Sequence, residues 1–78
     1  MENIDEKIEQ LNLAILQKLK QLKVLLKEKN EIMARYKVAS STEKILIEKE
    51  MIESKQKFEM LSKEVDDLSA EIQKLKKD

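Results

Sequence analysis

Apolar residues recur along this chain at helical spacing in two long stretches, separated by a short polar one. Placed at about 100° per residue, Ile4, Ile8, Leu11, Ala14, Ile15, Leu19, Leu22, Leu25, Leu26, Ile32, Met33 and Tyr36 fall in one band about 140° wide. Leu46, Ile47, Met51, Phe58, Leu61, Val65, Leu68, Ile72 and Leu75 form a second band of similar width. Between them Lys37, Ser40, Ser41, Thr42, Glu43 and Lys44 are polar, interrupted only by Val38 and Ala39. The pattern predicts an all-α chain forming a single domain: helix one over about residues 3–38, a turn over about 39–42, and helix two over about 43–77.

Local signals agree with these limits. Ser40 and Glu43 have the S-x-x-E spacing of a capping box, in which the hydroxyl accepts from the third helical amide and the carboxylate reaches back to the cap amide. Asn3 and Glu6 repeat the arrangement at the front of helix one. The turn has no glycine, the usual residue for a left-handed helix end, so one continuous helix in a parallel coiled coil is the alternative. Such a rod would be roughly 110 Å long.

Charge order favours the hairpin. Glu2, Asp5, Glu6 and Glu9 face one cation, Lys7, at the front; residues 15–37 hold seven cations and two anions; residues 38–73 hold nine anions and five cations; Lys74, Lys76 and Lys77 close the chain. Folding back near residue 40 sets the acidic front beside the basic tail, and the basic half of helix one beside the acidic part of helix two. Each helix also starts with acid, and helix two ends with base, as the macrodipole prefers.

Composition narrows the chemistry. The chain has 78 residues, no glycine, proline, cysteine or histidine, 41% charged residues and a net charge of zero. Without Cys or His there is no disulfide, no thiolate nucleophile and none of the usual ligands of a zinc centre, so no metal, cofactor or catalytic residue is expected and the chain reads as a non-enzyme. Asp66 and Asp67 are neighbours in sequence but point about 100° apart on a helix and do not converge. Tyr36 and Phe58 read as core aromatics near the turn. The longest uninterrupted apolar run, Leu13 to Leu16, is far short of a membrane span, and the acidic start is unlike a secretory signal, so a soluble cytoplasmic protein is expected.

Bands this broad exceed the narrow seam that two helices need, and large aliphatics left wet forfeit roughly 1.5–3 kcal/mol each. The expected architecture is an antiparallel helical hairpin self-associating into a coiled-coil-like four-helix bundle, a homodimer. The residues expected in its self-association core are Ile8, Leu11, Ile15, Leu19, Leu22 and Leu26 from helix one, with Met51, Phe58, Leu61, Val65, Leu68 and Ile72 from helix two. Helix two carries a heptad at 47, 51, 54, 58, 61, 65, 68, 72 and 75, interrupted only by Ser54. Helix one, read as 4, 8, 11, 15, 19, 22 and 26, follows an eleven-residue pattern that relaxes left-handed supercoiling.

Leu13, Leu16, Val24, Ile45 and Ile52 lie off the main bands and are candidates for docking a second protein. The density of apolar residues in Leu11–Leu26, ten in sixteen, makes helix one the better groove. The leading functional reading is a protein–protein interaction module, an adaptor, assembly factor or small inhibitor. Lys20, Lys23 and Lys27 share a face and support an alternative, a nucleic-acid-binding helical dimer; zero net charge and the lack of aromatics among the lysines weigh against it, and no membrane partner is expected. A purely structural oligomerisation element is the third reading.

Overall fold

A computed structural model describes residues 3–77 as two antiparallel helices, α1 (Ile4–Val38) and α2 (Ser41–Lys76), with no strand among them. The molecule is a hairpin measuring 59 × 16 × 15 Å, about half the length a continuous rod would have. Glu2 of the acidic front lies outside the described residues.

The connection is shorter than the four-residue turn expected from the polar cluster: only Ala39 and Ser40 lie outside the helices. Both are extended, Ala39 at φ −82°, ψ 152° and Ser40 at φ −70°, ψ 167°. Two consecutive β-region residues reverse the chain, so the reversal needs no left-handed residue, and none with positive φ occurs among the described residues. That is why a hairpin without glycine is possible here. Ser40 Oγ accepts from the Glu43 amide at 3.3 Å, the hydroxyl half of the expected box, and Lys44 N–H donates to the Ser40 carbonyl at 2.9 Å to begin α2. At the front of α1, Asn3 Oδ1 accepts from the Asp5 amide, one residue earlier than a box with Glu6 would place it.

The interface runs as a heptad seam along both helices. On α2 the positions 47, 51, 54, 58, 61, 65, 68, 72 and 75 are all half-buried or buried, the expected heptad with Ser54 included, and Lys44, Ser62 and Glu64 are half-buried beside them. On α1 the seam takes 8, 11, 15, 18, 22, 25, 32 and 36, continuing to Ala39, with Ala14 half-buried at its edge. The eleven-residue reading of α1 is therefore corrected: the seam takes Lys18 and Leu25, and leaves Leu19 and Leu26 on its flank, 46% and 48% exposed. Lys18 is acceptable there because its methylene stem packs along the seam while its ammonium reaches Glu64 on α2, 2.5 Å away.

The core is thin. Only Ile32, Ile47 and Ile72 count as buried, and no described side chain is fully enclosed. A hairpin has one helix–helix contact, and a side chain at that contact keeps water on at least one flank.

Candidate interaction surface

The heptad register sorts each helix into a seam and two flanks. In α1 the positions 8, 15, 22, 29 and 36 border one flank, and 11, 18, 25 and 32 border the other; in α2 the corresponding sets are 44, 51, 58, 65 and 72, and 47, 54, 61, 68 and 75. The flank beside the first set carries Leu16, Leu19, Leu26 and Met33 from α1, with Ile45 and Ile52 from α2. All six are between 42% and 68% exposed. The opposite flank carries Val24, Val38, Leu46 and Met60 among many more charges.

Two ion pairs separate the flanks further. Lys18 to Glu64, and Arg35 Nη2 to Glu50 Oε2 at 2.6 Å, engage carboxylates that both lie on the more charged flank and tie the helices together there. An exposed pair such as Arg35–Glu50 contributes only a few tenths of a kcal/mol, so its effect is on register more than on stability. Among the described residues no ion pair crosses the aliphatic flank. Its cross-helix polar contacts are at the turn, where the Tyr36 hydroxyl donates to Glu48 Oε1 at 3.1 Å and Lys44 Nζ sits 5.1 Å from the Tyr36 ring centroid.

Glu48 also holds the Tyr36 phenol above its usual pKa. Its hydrogen bond accepts from the protonated form, and its negative charge opposes a second one nearby. The sign follows directly: the stability this contact contributes is complete below the pKa of a free phenol and disappears as pH rises through the higher folded value. Tyr36 is the only tyrosine and there is no tryptophan, so an ultraviolet titration reads it alone. The expected midpoint lies above that of a free tyrosine and returns to it in Glu48→Ala; an unchanged midpoint would show that the two groups are not in contact.

Where the seam fails, the aliphatic flank opens into a groove of about 460 Å³. Lys29 is exposed, and the short Ser54 stands opposite where a large aliphatic would complete the layer. Leu25, Leu26, Ile32, Met51, Ile52 and Phe58 line the space, with Lys29, Lys55 and Glu59 at its rim. A shallower groove of about 350 Å³ on the opposite flank runs between Val24 and Met60.

The structure thus divides the docking candidates. Leu16, Ile45 and Ile52 share the aliphatic flank, Val24 lies on the charged one, and Leu13 points away from both, opposite the seam. Met33, which periodicity places in the main band of helix one, joins Leu19 and Leu26 at seven-residue spacing to form the spine of this flank. Lys20, Lys23 and Lys27 are all exposed, Lys20 and Lys27 on the outer side of α1 and Lys23 on the aliphatic flank seven residues after Leu16. Among the described residues no group of acidic side chains is arranged to hold a metal ion, and no helix is long and apolar enough to cross a membrane. Comparison with protein-family models, curated proteins and solved structures returns no match.

Proposed function

We propose that the protein is a non-enzymatic protein–protein interaction module that self-associates into a four-helix bundle and acts as an adaptor, assembly factor or small inhibitor. The observation that carries this reading is the one-sided flank: six large aliphatics, each about half exposed, beside a groove where the seam is unfilled. A contiguous apolar face of this kind on so small a protein marks a contact with another chain. Burying it adds roughly 1.5–3 kcal/mol for each large side chain, a substantial gain where a single small core supplies only about 3–5 kcal/mol.

Sedimentation equilibrium tests the first half of the proposal. A homodimer mass at micromolar concentration is expected; a compact, well-folded monomer at all concentrations would refute it. The second half concerns a protein partner outside the homodimer. Leu13 is exposed and remote from both flanks. Leu13→Asp is therefore expected to leave helicity and dimer mass unchanged while weakening recovery of a partner protein by the immobilised full chain. Equal loss of helicity in Leu13→Asp and in a seam variant would defeat that division of roles.

A further inference from the structure

The aliphatic flank is off-centre. Its six large side chains lie toward the turn, while Asp5, Glu9, Asn12, Asp66, Ser69 and Lys76 occupy the same flank at the open end. A second copy covering this patch can be related by a two-fold axis in the interface in two ways. With the axis parallel to the helices, both turns lie at one end and α1 of each copy packs on α2 of the other. With the axis perpendicular, the turns lie at opposite ends and like helices pair.

Charge on the flank discriminates between them. The contacts Lys18–Glu64 and Tyr36–Glu48 set the axial register of the hairpin. In that register Lys23 is level with Glu59, Lys37 with Ile45 to Glu48, and Lys55 with residues 27 to 29, near the middle of the patch. The perpendicular axis brings Lys55 onto Lys55 of the second copy and Leu16 opposite Lys37. The parallel axis sets Lys23 against Glu59 and Lys37 against Glu48, each twice, and brings Leu26 and Met33 to Ile52. It has two mismatches: Leu16 opposite Asp66, at the edge where the aliphatic patch ends, and Lys55 beside Leu26 and Lys29 of the second copy, where the lysine stem lies along the leucine and the ammonium reaches the rim.

Resting on the self-association proposed above, we infer that the occupant of the aliphatic flank is a second copy of this chain, packed about a two-fold axis parallel to the helices with both turns at the same end. Every helix then has antiparallel neighbours, and each groove beside Lys29 and Ser54 is covered by the other copy's flank.

Two measurements test this. The chain has no cysteine, so Ser41→Cys, exposed at the start of α2, takes a single spin label. In the dimer the label-to-label distance is expected at about 15–25 Å, from neighbouring helix spacings. The perpendicular arrangement would give about 40 Å or more, from the rise per residue between the turn and the patch centre. A short distance supports the inference; a long one in a protein of dimer mass overturns it and leaves self-association standing. A monomer mass overturns both.

The second measurement uses separate Lys23→Glu and Glu59→Lys chains. Each homodimer is expected to dissociate about tenfold more readily than the natural one, since two exposed pairs become repulsive. A one-to-one mixture should form heterodimer well beyond the statistical half, because both inter-copy pairs are then complementary. Attraction confined within one hairpin predicts no such preference, and a statistical mixture would overturn the inference.

Discussion

Leu22→Asp is expected to remove the cooperative helical signal at 25 °C. Leu22 lies in the middle of the α1 seam, half-buried against α2. A carboxylate there is set among Ile15, Leu25 and, across the interface, Leu61, and the one cation within a turn on the seam, Lys18, is already engaged by Glu64. The penalty for an unpaired charge at such a site is several kcal/mol, and the lost leucine adds roughly 2–5 kcal/mol. Together these exceed what a core of this size supplies, about 3–5 kcal/mol. Far-ultraviolet circular dichroism against temperature checks it. A melting curve within a few degrees of the natural protein's would mean that residue 22 is not in the seam.

The second large effect separates seam from flank. Leu19 and Leu26 flank the seam about half exposed, three and four residues either side of Leu22. Changing both to Asp leaves the carboxylates in water within one hairpin, so that contact should survive. Two hairpins packed on this flank would have to bury four carboxylates near the centre of their contact. The double variant is expected to sediment as a monomer. Its melting temperature should be lower than that of the natural protein and independent of concentration, whereas a homodimer melts higher as it is concentrated. Retention of dimer mass by this variant would place the interface elsewhere, the flank of Val24 and Met60 being the next surface to examine.

The contrast between the two variants depends on a distinction that the amino-acid pattern leaves open. Around α1, Lys18, Leu19, Leu25 and Leu26 fall at the edges of a band wide enough to admit more than one seam. Hydrophobicity favours 19 over 18, and the straight-helix reading selects it. In the folded hairpin the alternation of steps is set by α2, whose band offers a single heptad, and α1 must present the matching one. Lys18 can follow because its stem is apolar and Glu64 is within reach of its head.

On α2 the sequence was a better guide. Each step from Ile47 to Leu75 is occupied as the spacing predicts, and Ser54, the one polar interruption, lines the groove of about 460 Å³. The candidate surface was partly legible too: Leu16, Ile45 and Ile52 were recognisable as apolar residues off the bands, but nothing local placed residues from two helices on one side of the hairpin. Only the cross-helix register brings residues 16 to 33 beside residues 45 to 52.

Residue spacing and charge order favoured two long helices over one continuous rod, marked Asn3 and Ser40 as their starts, and singled out the stripe of α2 that meets its neighbour. Those properties depend on side-chain spacing and short-range hydrogen bonds. The tertiary structure alone decided that two extended residues suffice to reverse the chain, that Lys18 displaces Leu19 from the seam, and that the ion pairs gather on one flank while aliphatics gather on the other. These outcomes depend on how one helix is rotated and shifted against the other, a balance of contacts between residues up to 46 positions apart that no local pattern records.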